Sequence, residues 1–144
     1  MPAQSYANHR RFVLMFHGVL FGALVLTLIG AGVNLVLSLG DHQRLYSASL
    51  ILVLVLCVLV LTFLARIFAL KAQDRAIRAE ENLRHYALTG KLLDARLHIR
   101  QIIGLRFASD EEFVALAKRA AEEDVPEEDI KKAVKVWRAD TYRV

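Results

Sequence analysis

The sequence predicts an all-α membrane protein, in which a transmembrane helical hairpin is followed by a small cytoplasmic helical tail. Three observations carry this. The chain of 144 residues is 56% hydrophobic with only 8% aromatic residues, so its apolar content is aliphatic and exceeds that of ordinary globular domains. Two long runs lack formal charge and are joined by five residues. No glycine or proline then interrupts the chain between Asp41 and Gly90.

The first run, Phe12 to Leu39, is 28 residues without a formal charge. As a helix it measures about 42 Å, enough to cross a hydrocarbon core of about 30 Å with tilt. A signal peptide has an apolar region about half that length. The second run, assigned to residues 45–70, contains the all-apolar stretch Leu50 to Leu61 and meets its first charge at Arg66. With only residues 40–44 between them, the two runs must be antiparallel neighbours. Arg10 and Arg11 precede the first run, and Arg66, Lys71, Arg75 and Arg78 accompany the end of the second, against Arg44 alone in the connection. The positive-inside rule therefore predicts both termini in the cytoplasm, with residues 1–11 as a cytoplasmic segment and Arg10, Arg11, Arg66 and Lys71 as topology anchors.

The net charge of +4 is a property of the membrane edge. Residues 72–144 hold 14 Lys+Arg and 14 Asp+Glu, so the excess lies before them. The last helix has bases at Lys131, Lys132, Lys135 and Arg138, but Glu127 and Glu128 stand four residues before the first two, the favourable order for helical ion pairs. Nucleic acid is not an expected partner.

The second helix is expected to run on into the cytoplasm over 71–89, where Ala69, Ala72, Ala76, Ala79, Leu83 and Tyr86 follow a 3-4 spacing and form a narrow seam. Two occupants are open, the protein's own tail folded back on it, or a second copy or another subunit. Residues 90–144 form the tail. Gly90 predicts a stop, Leu92 to Phe107 a further helix, and Ser109-Asp-Glu-Glu112 a capping box that starts a helix over Asp110–Glu123 with Phe113, Leu116, Ala117 and Ala120 inward. Pro126 fits the first turn of a last helix with Ile130, Ala133, Val134 and Trp137 on its apolar face. Trp137 is expected to anchor this helical hairpin or, if exposed, to be the tail's anchor for a partner.

Chemistry is sparse. Cys57 is the lone cysteine, set among valines and leucines, which excludes an intrachain disulfide and predicts a buried, inert thiol. Neither run contains an acidic residue for a proton or cation path. No nucleophile–base pair, phosphate loop or paired carboxylate set is visible, and 144 residues leave no room for a large catalytic domain. Gly18, Gly22 and Gly30 give the first helix a small-residue face suited to close helix packing. Asn34 is expected to reach water or to bond Ser47 or Ser49. His17, beside Gly18, offers a neutral nitrogen with room for a macrocycle, so haem or a chlorophyll-type pigment is the alternative to the expected absence of a cofactor.

The segments Ala7 to Arg11 (ANHRR), Phe68 to Arg84, Leu105 to Glu112 and Ile130 to Val144 together resemble an uncharacterised family of small bacterial two-span membrane proteins, classed as a domain of unknown function. The resemblance covers almost the whole chain, implies a bacterial inner membrane as the expected location, and implies no activity. The expected function is thus that of a non-enzymatic accessory or scaffolding subunit, with membrane lipids and other membrane-protein subunits or a second copy as partners. A pigment- or haem-binding subunit of a photosynthetic or respiratory complex, and a membrane-tethered regulatory module with a partner-binding tail, are the alternatives.

Overall fold

The computed structural model describes residues 5–7 and 12–140. It is all helical, with no strand among the described residues, only an isolated antiparallel bridge between Ala108 and Trp137. A π-helical turn, Met15–Leu20, leads into α1 (Phe21–Leu37), followed by α2 (His42–Thr89), α3 (Ile99–Leu105), α4 (Asp110–Glu123) and α5 (Glu127–Ala133). The stretch Met15–Leu37 and the 48-residue α2 are long and apolar enough to cross a membrane. The chain divides into two compact units, Arg11–Phe68, and Met1–Arg10 with Ala69–Val144.

In the Arg11–Phe68 unit, α1 and α2 pair antiparallel. The Phe21 and Phe63 rings meet edge to face at 5.9 Å, and the Arg66 guanidinium lies 5.5 Å from the centre of the Phe16 ring. The connection is shorter than the expected 40–44, because α2 begins at His42. Gly40 supplies a φ of +101°, and the Asp41 carboxylate accepts the backbone N–H groups of Gln43 and Arg44 at 3.1 and 3.2 Å. A side-chain cap thus turns three presumed loop residues into the first turn of α2. The covered positions include Leu24, Leu28, Ala31, Leu35 and Ser38 on α1, and Leu45, Ala48, Leu52, Val55, Leu59 and Thr62 on α2. Both sets step by three and four, the spacing of helices crossing at a shallow angle. Alanine sits where the covering is tightest, Ala48 being fully buried and Ala31 nearly so.

In the other unit the core is Ile77 from α2 with Leu97, Ile102, Leu105, Ala108, Phe113, Leu116, Ala117, Ala120, Val125, Ile130 and Val134. Gly90, at φ +72°, ends α2, and its N–H donates to the Tyr86 carbonyl at 2.7 Å. The helix expected over Leu92 to Phe107 is only Ile99–Leu105. Local side-chain bonds consume the backbone before it. Asn82 Oδ1 accepts the Leu93 N–H at 3.1 Å, and Asp94 Oδ1 accepts the Arg96 N–H at 2.9 Å. Such bonds offer the backbone an alternative to the helical ladder. The Arg96 guanidinium and its own N–H together hold the Asp94 carboxyl down at about 2.

The capping box lies elsewhere than expected. His98 and Gln101 form one, His98 Nδ1 accepting from Gln101 N while Gln101 Oε1 accepts from His98 N. At α4 the Ser109 side chain makes no capping bond. Glu112 turns away to accept the N–H groups of Lys135 and Val136 at 3.0 and 2.7 Å, and these two donors hold its carboxyl below the ordinary range. α4 nevertheless spans Asp110–Glu123, with Phe113, Leu116, Ala117 and Ala120 buried. Pro126 is the N-cap of α5 rather than its first residue, and α5 stops at Ala133. Trp137 and Lys135 therefore lie beyond the helix that the sequence assigned them to.

Two small features lock the three short helices. The Gln101 amide nitrogen, fully buried, donates to the carbonyls of Ala120 and Val125 and to Asp124 Oδ1 at 3.0–3.2 Å. It fixes the end of α4, where Asp124 adopts φ +48°. Gly104 is the contact point of α3 on α5. A Cβ there would lie 3.1 Å from Ile130 Cγ2 and 3.2 Å from the Glu127 carbonyl oxygen. The backbone oxygen cannot yield as a side chain would, so Gly104→Val is expected to destabilise this unit by about 2 kcal/mol through overpacking. Hydrogen exchange of the α3 and α5 amides measures it; unchanged protection would mean that the crossing tolerates a side chain.

Candidate functional site

The residues singled out in the sequence lie on three surfaces, and only part of them is covered. On α1, the glycine face does not meet α2. Gly18, Gly22 and Gly30 are exposed, and a Cβ placed on Gly22, Gly30 or Gly32 would have no neighbour within 4 Å. Packing is driven by side chains that fill space, so the Leu and Ala positions took the contact with α2 and the glycines turned outward. Beside Gly32 the surface forms a shallow apolar groove of about 380 Å³ along Leu28, Val33 and Val36. The uncovered face is thus flat backbone bordered by aliphatic side chains.

The second surface is the α2 seam. The tail does fold against this part of α2, but on another face than expected. Ile77 enters the core, Glu81 is buried, and Gln73, Arg84 and His85 are half-buried. The seam residues Ala72, Ala76 and Ala79 are exposed, as are Leu83 at 68% and Tyr86 at 54%, with Ala69 half-covered. The reason lies in size and charge. Ile77 supplies more apolar area than any seam alanine, and Arg84 brings a polar lock that the seam lacks.

That lock ties α2 to the start of α4. The Arg84 guanidinium donates to Asp110 Oδ1 at 2.7 Å, to Glu81 Oε2 at 3.0 Å and to the Ala108 carbonyl at 2.7 Å. It also lies 4.3 Å from the centre of the Phe113 ring. Arg138 reaches the other oxygen of Glu81 at 3.7 Å. Nothing in the spacing of Glu81, Arg84 and Asp110 announced the cluster, because its members come from α2 and from the start of α4; the one legible signal was Glu81 and Arg84 at i and i+3.

The third surface is the end of the tail. Trp137, proposed from the sequence as a partner anchor, is half-buried. Its ring packs on Phe107 at 4.9 Å, and its backbone bridges Ala108. Contact with the core is its role within the chain. Of the four bases assigned to the last helix, Lys131 is buried and paired with Glu127 at 2.6 Å, Lys132 pairs with Asp129 and Arg138 with Glu81, while Lys135 is exposed.

The remaining candidates are placed as follows. His17 Nδ1 lies 3.0 Å from its own helix's Val13 carbonyl oxygen, inside the π-helical turn. Phe12 stacks on the imidazole at 4.9 Å and Phe16 meets it edge-on at 5.1 Å. Leu14 Cδ1 lies 3.1 Å from where a Gly18 Cβ would be, and Gly18 is otherwise exposed. Asn34 does not bond Ser47 or Ser49, whose hydroxyls donate to carbonyls of their own helix. Cys57 is exposed on the chain rather than buried. Arg66 is half-buried over Phe16 and Lys71 is exposed. Arg10 and Arg11 lie outside the described residues. No group of His, Cys, Asp and Glu among the described residues is arranged to hold a metal ion.

No curated protein and no solved structure matches this chain. A family model does match, and it spans residues 1–144 in full. The chain, with its uncovered glycine face and its exposed seam, belongs to a family of unknown function, DUF6526.

Proposed function

We propose that the protein is a non-enzymatic accessory or scaffolding subunit of a larger complex in a bacterial inner membrane, crossing the bilayer twice with both termini in the cytoplasm. Support for the two spans comes from the length and apolarity of Met15–Leu37 and of α2, and from the exposed aliphatic side chains along both. Support for the orientation comes from the charge count, six Lys and Arg near the inner ends against Arg44 alone in the connection.

The observation that carries the docking role is the glycine face of α1, open at Gly22 and Gly30. In lipid, helices associate through van der Waals packing and close backbone approach, and such a face lets a foreign helix come near. Introducing Gly22→Leu and Gly30→Leu together is expected to deplete the assembly about tenfold on blue-native gels of membranes from the native host, corresponding to roughly 1.4 kcal/mol of lost packing. If every complex containing the protein keeps its size and yield, the docking role is wrong.

A further inference from the structure

We propose that the exposed seam of α2 binds a second copy of this chain as a parallel, in-register coiled coil between Ala69 and Tyr86. The inference rests on the membrane topology proposed above and names the occupant of a face which that reading leaves open.

The seam fits the heptad pattern, with Ala69, Ala76 and Leu83 at a positions and Ala72, Ala79 and Tyr86 at d positions. It is more than a stripe of small side chains. Leu83 and Tyr86 are large, apolar and mostly exposed, and the tail core takes Ile77 from a different side of the helix, leaving the seam exposed from Ala72 to Tyr86, with Ala69 half-covered and Asn82 at its edge held by the Leu93 N–H.

Charge complementarity selects the partner. In this register Arg75 is a g position and Glu80 the following e position. Across a parallel two-stranded coiled coil a g residue faces the next e residue of its partner, so each Arg75 would meet the other copy's Glu80, twice by symmetry. Both side chains are exposed, and neither has an ion pair within the chain among the described residues. A two-fold interface must be complementary to itself, and this face carries its own base and its own acid at the spacing that requirement sets.

Orientation adds a second reason. Copies inserted in the same sense leave the membrane with α2 pointing the same way, so only the parallel pairing is offered to them. Alanine at a and d buries little area, which makes the coil weak between free chains. Confinement to a membrane raises the effective concentration and offsets that weakness.

The test uses the full-length protein in native membranes, with Cys57→Ala removing the one native thiol. Ala79→Cys and Ala72→Cys place a thiol at d positions, and Arg78→Cys places one at a c position on the same exposed stretch. Mild oxidation is expected to give disulfide-linked dimer at least about tenfold more efficiently from either d variant than from Arg78→Cys, because a disulfide needs Cα atoms within about 7 Å. Glu80→Arg added to Ala79→Cys is expected to lower that yield, and Arg75→Glu added to both to restore it. Equal yields at positions 78 and 79, no dimer from either d variant, or no restoration by the charge swap would overturn the inference. The outcome is separable from the scaffolding role. Cross-linking with no loss of any foreign assembly in Gly22→Leu/Gly30→Leu leaves the coiled coil standing and removes the docking role, and the reverse pattern does the opposite.

Discussion

Phe113→Ala is expected to destabilise the unit formed by Ala69–Val144 by about 3–5 kcal/mol, the range for removing a fully buried aromatic ring from a core. Phe113 is 0% exposed and lies at the centre of the cluster that joins α2 to α4. One face receives the Arg84 guanidinium at 4.3 Å, and the His85 ring approaches at 6.0 Å. Truncation to alanine removes the ring's contacts with Arg84 and His85 and leaves a cavity in the cluster it shares with Ile77 and Leu116, so transfer and cavity terms add. Because a domain of this size is stable by about 5–15 kcal/mol in all, the loss is a large fraction of what holds the tail on α2. Hydrogen exchange on the full-length protein in mild detergent gives the readout. α4 amides are expected to lose about two to four orders of magnitude of protection, while Phe113→Leu, which keeps most of the apolar volume, loses far less. Unchanged protection in the alanine variant would show that Phe113 is not the centre of this core.

The second large effect belongs to Arg84. Its side chain is 10% exposed, and that of Glu81 is 6% exposed. Arg84→Ala leaves the buried Glu81 carboxylate with Arg138, at 3.7 Å, as its one remaining ion-pair partner among the described residues, and deprives the Ala108 carbonyl of its donor. Breaking one side of a buried ion pair costs about 3–5 kcal/mol, because the remaining charge stays desolvated. The bond to Asp110 contributes little of this, since that carboxylate is 62% exposed and screened by water. Arg84→Lys is expected to rescue only in part, as one ammonium cannot reproduce a fork that serves three acceptors. The distinguishing variant is Glu81→Leu with Arg84→Met, in which no charge is left stranded. It should be more protected against exchange than Arg84→Ala alone. A double variant as unstable as the single one would show that packing, not an orphaned charge, sets the cost.

The elements written most plainly in the sequence were those specified by neighbours close along the chain. Gly90 ended α2 because a left-handed residue is needed there, and the apolar positions of α4 fell on one face because the helical repeat puts them there. Where the sequence misled, a local signal had a distant competitor. Ser109 and Glu112 have the spacing of a capping box, but Glu112 was claimed by the N–H groups of Lys135 and Val136, 23 and 24 residues away. Leu92 to His98 looked helical in its apolar spacing, yet Asn82 and Asp94 gave its backbone other partners. Trp137 continued the apolar period of α5, but the chain left the helix at Val134 to pair with Phe107 and Ser109.

The same division holds for the surfaces. Composition and periodicity alone determined that the chain is all helical and that two helices are long and apolar enough to cross a membrane. These follow from backbone geometry and from the number of consecutive apolar residues, which need no knowledge of distant partners. Only the tertiary structure decided which faces were used within the chain. Ala31, Ala48 and Val55 lie buried along the α1–α2 contact while the glycines face outward, and Ile77 and Arg84 met the tail while the seam did not. Each helix carried more than one face able to pack. The choice fell to the side chains that filled the most space and left no buried charge unpaired, a competition settled among residues far apart in the chain.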